Sequence, residues 1–268
     1  MPELPEVETI VRSLAPRLKG RLILNAEFRC ARVLRGDAET ASARLAGARI
    51  GAVRRHGKFI VFELDRGANL IVHLGMTGKL LLDAAAEPGR HTHAIFTLDQ
   101  GSLLYDDIRQ FGRLEVKEGR GLPERAAALG PDPLEIGADE FLERLRGRAT
   151  KIKPLLLNQA FLRGLGNIYC DEALFRARIH PRAVASRLSR ERARRLLGAI
   201  VETLEESIAG RGSSISDYVD ADGERGSFQL RHRVYQKDGE PCVVCGTPIR
   251  RILLAQRGTH FCPRCQRS

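Results

Sequence analysis

Four cysteines near the C-terminal end carry the clearest chemistry in this 268-residue chain. Cys242 and Cys245 form one Cys-x2-Cys knuckle, and Cys262 and Cys265 form a second, sixteen residues further on. Each knuckle can place two thiolates on one metal, and two knuckles complete a tetrahedron, the donor set of a structural zinc. Four protein ligands leave no open coordination position. The expected ion, one Zn2+ per chain, therefore supplies folding energy to a segment too short for its own core, and no organic cofactor is expected. The competing reading is four unrelated thiols or two disulfides, which are uncommon in a reducing cytosol. Arg250, Arg251 and Arg257 lie between the knuckles, where a two-stranded ribbon would present them to phosphates. Cys30 and Cys170 stand alone and are read as small buried apolar residues.

The elements that must carry these side chains change type along the chain. Val7, Ile10, Val11, Leu14 and Leu18 recur at helical spacing, and Pro5 suits the first turn of that helix. Pro2 and Glu3 then sit just ahead of a helix N-terminus. Between residues 22 and 117 short β-type runs follow: Ile50–Arg54, Lys58–Leu64, Leu70–Leu74, Ala94–Leu98 and Leu114–Lys117. Turns such as Asp65-Arg66-Gly67 separate them, the pattern of an antiparallel sandwich or barrel. Residues 118–136 are rich in Gly and Pro and read as a linker. From 137 the chain turns helical. After Ser189 the residues Ala193, Leu196, Leu197, Ile200, Val201, Leu204 and Ile208 share one face, with Gly210 placed to cap the C-terminus. Residues 211–229 are polar and glycine-rich, a loop long enough to serve as a lid. The fold class is α+β in two domains: a domain over 1–117, a linker, a helical domain over 137–229 and a ribbon over 230–268.

Composition narrows the partners. A hydrophobic fraction of 43% supplies cores and argues against disorder. The longest apolar runs fall far short of a membrane span, and the acidic start lacks a signal-peptide core, so a cytosolic protein is expected. The net charge is +11, and residues 225–268 hold nine Lys/Arg against two Asp/Glu. That excess favours a polyanion through counterion release, without separating DNA from RNA or an anionic membrane surface. A merely soluble basic surface is the competing explanation.

The opening string Met1-Pro2-Glu3-Leu4-Pro5-Glu6-Val7-Glu8-Thr9 closely resembles the start of bacterial formamidopyrimidine-DNA glycosylases. Similar matches run the length of the chain, in order: His73-Leu74-Gly75-Met76-Thr77-Gly78, Arg109 with Phe111-Gly112, Leu129-Gly130-Pro131, Gly166-Asn167-Ile168-Tyr169 with Asp171-Glu172, and Arg257-Gly258-Thr259 leading into the second cysteine pair. The resemblance implies an N-terminal helix and β-sandwich followed by a helix–two-turn–helix domain with a C-terminal zinc ribbon. It also implies an enzyme that excises oxidised purines (8-oxoguanine and formamidopyrimidines) from duplex DNA and then cuts at the abasic site. A monomer acting on bacterial DNA in the cytoplasm, at the nucleoid, is expected.

Such an enzyme must break a C1′–N bond, assist departure of the base and reach a base buried in the stack. If Met1 is removed, Pro2 becomes a secondary amine able to attack C1′ and form an iminium, whose acidified C–H permits elimination. Structurally, Pro2 could merely begin a helix. By resemblance Glu3 is the proton donor at the sugar, though its charge also suits a helix N-terminus. Lys58 matches the lysine assigned to proton transfer in β-elimination and Arg257 the arginine of δ-elimination; alone they would read as a solvated lysine and a phosphate contact. Met76, Arg109 and Phe111 would fill the space left by the flipped base, with Arg109 reading the opposite base; Met76 and Phe111 could otherwise be core. His73, His91, Arg148 and Asn167 are DNA contacts by the same matching, and loop 211–229 would cover the flipped base. Two positions depart from the family pattern: Gln110 replaces an arginine in Asp107-Ile108-Arg109-Gln110-Phe111-Gly112, and Asn158 stands where Asp is frequent. The rival readings are an endonuclease VIII-like glycosylase for oxidised pyrimidines, and a non-catalytic zinc DNA-binding protein.

Overall fold

The structure, a computed structural model, describes residues 1–82, 87–119, 121–215 and 218–267. It divides into two compact units: Met1–Ala128 with Gly210–Gln229, and Leu129–Ala209 with Leu230–Ser268. The segment 210–229, which the sequence reading attaches to the helical domain, thus belongs to the first unit. Among its residues, Ser216 and Asp217 of the expected lid lie outside the described set.

The first unit opens with helix α1 (Leu4–Leu18), whose face Leu4, Val7, Ile10, Leu14 and Leu18 is fully buried. Two sheets follow. Strands β1 (Ile23–Phe28), β2 (Leu34–Arg35), β3 (Ile50–His56), β4 (Phe59–Leu64), β5 (Ala68–His73), β6 (Gly78–Leu82), β7 (Thr92–Leu98), β8 (Ser102–Asp107) and β9 (Arg113–Glu118) follow in order, with helix α2 (Ala38–Leu45) between β2 and β3. One sheet has the order β1-β7-β8-β6 and the other β2-β9-β5-β4-β3. Pairing is antiparallel except between β2 and β9, which run parallel. Ile60, Phe62, Leu70 and Val72 from one sheet join Ala94, Phe96, Leu103 and Tyr105 from the other in a single core that includes the buried face of α1. β4 and β5 are buried along nearly their whole length: Ile60, Phe62, Leu70 and Val72 lie in that core, and Phe59, Val61 and Ile71, on the alternate positions, are buried as well. That explains their unbroken apolar runs, where a half-exposed strand would alternate. Helix α2 stands where only strands are expected. Asp37 caps it by accepting from the Thr40 amide at 2.8 Å, and only Ala41 and Leu45 are buried, too few to mark a helical period. A short helix α3 (Glu124–Ala127) closes this stretch of chain.

The second unit contains α4 (Ala138–Leu145), α5 (Ile152–Leu157), α6 (Asn167–Arg176), α7 (Arg190–Ala209) and the hairpin β10 (Arg250–Leu254) with β11 (Arg257–Phe261). Helix α7 buries the expected Ala193, Leu196, Leu197, Ile200, Leu204 and Ile208, while Val201 is half-buried. Its end departs from expectation: Arg211 (φ 61°) and Gly212 (φ 81°) adopt the left-handed turn, and Gly210 does not. Helix α6 packs on both α7 and β11, so the cysteine-bearing ribbon is seated on the helical core. Among the described residues, no helix is long and apolar enough to cross a membrane.

Candidate active site and metal centre

At the chain start, Pro2 is buried and Glu3 is 4% exposed. Glu3 is the N-cap of α1 in a reciprocal box: its carboxylate accepts from the Glu6 amide, and its own amide donates to Glu6 Oε2 at 2.8 Å. Glu6 Oε1 also accepts from the Ser213 amide at 2.8 Å, and the Tyr218 hydroxyl donates to the Glu6 carbonyl at 3.3 Å. One buried carboxylate therefore fastens both the Pro2-Glu3 dipeptide and the 210–229 segment to the first turn of α1. Met1 itself is half exposed.

Lys58 stands beside α1's neighbours in the sheet. His56 pairs with Phe59, leaving Gly57 and Lys58 as a two-residue turn with the glycine first (φ 62°), which suits the hairpin twist. Lys58 is 8% exposed, so the surface reading fails. The hairpin is tied down by Arg55, whose Nε donates to Glu8 of α1 at 2.7 Å. Burial alone would raise the Glu8 pKa, but the bonds from Arg55 and Arg12 hold its carboxyl below the usual range. The His73 ring packs at a tilt against Phe59, centroids 4.9 Å apart, and its Nδ1 accepts from the Gly75 amide at 3.2 Å. Burial, then the positive charges of Arg125, Lys58 and Arg113, depress its pKa to about 4. His73 is thus neutral at pH 7, with its proton on Nε2.

The three expected wedge residues share one exposed surface. Met76 is 41% and Phe111 51% exposed, against the core reading, and the Arg109 guanidinium lies over the Phe111 ring at 4.8 Å. Their two loops are locked together by Asp107, which is fully buried. Its carboxylate accepts from Thr77 Oγ1, from the Gly112 amide at 2.8 Å, from the Tyr105 hydroxyl at 3.1 Å and from the Arg109 amide at 3.3 Å. Gly75 and Gly112 are required here: a Cβ on Gly75 would strike the Gly112 nitrogen, and one on Gly112 would overlap the Tyr105 hydroxyl. Gln110 takes a left-handed conformation (φ 55°), and its carbonyl accepts from Arg113 at 2.9 Å, so the departure from arginine leaves the loop's frame intact. The half-buried His91 reaches the same frame through its carbonyl, which accepts from the Asp107 amide at 3.0 Å. Sequence reading quoted Asp107 only as a motif position; an acid preceding Arg-x-Phe-Gly was the available signal.

In the second unit, Arg257 is exposed at the tip of the β10–β11 hairpin, and Asn167 opens α6. Asn167 Nδ2 donates to the Gly258 carbonyl at 3.0 Å, while its Oδ1 is buried without a hydrogen-bond partner. Lys153 and Asp171, both fully enclosed, pair at 2.7 Å. Lys153 Nζ also donates to the Gly258 carbonyl at 3.0 Å and to Thr259 Oγ1 at 2.8 Å, and Asp171 accepts from the His260 amide at 2.9 Å. Lys153 was not singled out in the sequence, and Asp171 was quoted only as a motif position; a lysine inside the apolar run Ile152–Leu157 was the signal for the pair. Glu172 accepts from the amides of Arg233, Val234 and Tyr235 at 2.8–2.9 Å; burial raises its pKa against those three bonds. Arg148 is exposed in the turn after α4, held by backbone bonds to Leu145 and Ser186. Asn158 Oδ1 accepts from the Ala160 amide at 3.0 Å, a bond that an aspartate would make equally.

The four predicted ligands Cys242, Cys245, Cys262 and Cys265 converge, their sulfurs all within 4.8 Å of one another. Cys242 and Cys265 are 3.9 Å apart and Cys245 and Cys262 3.5 Å. Bonds of about 2.3 Å to a tetrahedral Zn2+ require sulfur separations of roughly 3.8 Å, so the donor set fits a structural zinc.

Comparison with known proteins accounts for nearly the whole chain. Residues 1–114 match the formamidopyrimidine-DNA glycosylase N-terminal domain, 129–219 its H2TH domain and 239–267 the zinc finger found in FPG and IleRS. The formamidopyrimidine-DNA glycosylase of Solibacter usitatus is 59% identical over the full length of both chains. The crystal structure of MutM (FPG) from Thermus thermophilus superposes with a TM-score of 0.89 at 43% identity, covering 99% of this chain and 98% of that one. A Lactococcus lactis FPG mutant bound to Fapy-dG-containing DNA gives 0.90 at 37%, covering all of both.

Proposed function

The chain belongs to the formamidopyrimidine-DNA glycosylase family, and from that premise we propose how its residues carry out base excision. It is a base-excision DNA glycosylase whose partner is double-stranded DNA carrying damaged bases or abasic sites, and its ribbon holds a structural zinc. After loss of Met1, the Pro2 amine attacks C1′ of the damaged nucleotide and gives up its N–H proton, while the C1′–N bond breaks with its electron pair leaving on the base, which takes up one proton. Glu3 gives a proton to the sugar ring oxygen as the ring opens, leaving an iminium on Pro2. Loss of a C2′ proton, with Lys58 serving the transfer, expels the 3′ phosphate; Arg257 serves the second elimination at the 5′ side. Met76, Arg109 and Phe111 occupy the space of the flipped base, with Arg109 facing its former partner. His73, His91, Arg148 and Asn167 contact the DNA, and the 211–229 segment covers the extruded base. The enzyme works as a monomer in the cytoplasm, at the nucleoid.

The observation that supports this assignment best is the burial of Pro2-Glu3 at the capped start of α1, fixed by Glu6. A free amine there would be held in one place without a flexible tether. The test is product analysis on duplexes carrying one lesion each. With 8-oxoguanine opposite cytosine, free base and a one-nucleotide gap with phosphates at both ends are expected. Preference for thymine glycol would support the endonuclease VIII-like alternative, and inertness on both, with tight binding, a non-catalytic DNA-binding protein.

A further inference from the structure

The zinc end of the second unit holds a feature that base excision does not use. Arg178, Arg192, Arg195, Arg264 and Arg267 line one cleft of about 600 Å3, together with Val244 and the zinc ligands Cys245 and Cys265. The cleft sits at the cysteine end of the ribbon. Arg250 pairs with Phe261 there, whereas Arg257 pairs with Leu254 at the far tip. Four residue steps of strand, about 13 Å, separate the two ends.

Charge in the cleft is not balanced by the carboxylates of the described residues. Among the described residues, Arg195 alone of the five meets a carboxylate, Glu191 at 3.5 Å. Arg192 donates to the Arg267 carbonyl at 2.8 Å and Arg195 to the Ala177 carbonyl at 3.0 Å, bonds that fix both guanidiniums in place. A Zn2+ held by four thiolates carries two net negative charges by formal count, which offset two more of the arginines. Among the described residues, two positive charges remain uncompensated in this count. Arg178 moreover occupies the left-handed position just past α6 (φ 55°), where glycine or asparagine is the easier choice. A strained backbone bearing an unpaired cation into a cleft is a reason to look for a ligand.

We propose that this cleft is a second phosphate-binding site, distinct from the catalytic one, which takes the phosphates of a polyanion. Guanidiniums converging from three directions match tetrahedral phosphate oxygens, each able to accept from more than one donor. An acidic peptide fits less well, because the lining offers little besides arginine to meet a peptide backbone. The phosphates come either from a second segment of DNA backbone or from a free polyphosphate such as a nucleotide. The site does not depend on the glycosylase assignment, and its test reads no excision.

The experiment compares the zinc-loaded full-length protein with the variant Arg178→Ser/Arg264→Ser at low salt. Calorimetry with tripolyphosphate is expected to show the variant binding at least about tenfold more weakly, or losing one site, with one zinc per chain retained. If the wild type holds two undamaged duplexes and the variant one, the source is DNA backbone. If both hold one duplex and only tripolyphosphate binding falls, the source is a free polyphosphate. Equal tripolyphosphate binding by both proteins overturns the proposal. So does binding of a glutamate octapeptide without tripolyphosphate, which would make the cleft a dock for an acidic protein segment. Should the variant lose zinc, phenylglyoxal footprinting of the wild type decides: tripolyphosphate must slow modification of Arg178 and Arg264 severalfold relative to Arg12, and unchanged rates reject the site.

Discussion

Two buried aspartates, one in each unit, hold exposed arginine-bearing loops by different physics. Asp107 is surrounded by neutral donors: a threonine, a tyrosine and two backbone amides. Asp171 faces the equally buried Lys153 at 2.7 Å and an amide of the ribbon. Neutral donors spread one charge over several dipoles, so each bond can be lost singly at modest cost. In a dry ion pair each charge balances the other, so removing one partner strands a buried charge even though the neighbouring hydrogen bonds remain. The Arg109 loop should therefore degrade gradually under mutation, and the Arg257 hairpin abruptly.

The largest test of that contrast is metal removal. Chelation should melt residues 239–267, since metal binding contributes roughly 10 kcal/mol or more to folding in small zinc modules. Hydrogen exchange is expected to accelerate across β10 and β11 and to stay unchanged in β4 and β5. Exchange rising equally in both units would erase the distinction. Next in size, Lys153→Met should cost about 3 to 5 kcal/mol in urea unfolding of the second unit, and Lys153→Met/Asp171→Leu should recover much of it. A double variant as damaged as the single would show that the pair's charge balance is not what matters.

Histidine titration sharpens the comparison further. His73 has a folded pKa of about 4, well below its unfolded value, so the unfolded state binds a proton first as pH falls. Stability of the first unit should drop between about pH 6.5 and pH 4, by on the order of 2 to 3 kcal/mol at the lower end. His73→Gln should flatten that slope. The smallest effect is expected for Asp107→Asn, about 1 to 2 kcal/mol in stability, because one oxygen still accepts from two donors, while on the other side a hydroxyl can turn to accept from the NH2 and one backbone amide loses its acceptor. A loss matching that of Lys153→Met would break the contrast.

Legibility followed local chemistry. The cysteine spacing gave the zinc ligands outright because four sulfurs on one ion leave little geometric freedom. Strands β3, β4, β5, β7 and β9 were visible as apolar runs, whereas α2 was hidden because two buried residues make no period. The exposure of Met76 and Phe111 and the burial of Lys58 contradicted their residue types, since loop closure through Asp107 and a hairpin turn set those environments. Lys153 and Asp171 lie eighteen residues apart in sequence. Only the packing of α5 on α6 brings them together, and no local pattern encodes it.

Whether Pro2 is the nucleophile is tested most directly by borohydride trapping. The mature protein, shown by intact mass to lack Met1, is incubated with a duplex carrying 8-oxoguanine opposite cytosine. It is then reduced and digested, and the crosslinked peptide is sequenced by mass spectrometry. A covalent DNA adduct on the Pro2 nitrogen is expected, absent when Met1 is retained. An adduct on Lys58 or another lysine, or efficient strand cutting by protein that keeps Met1, would contradict the assignment.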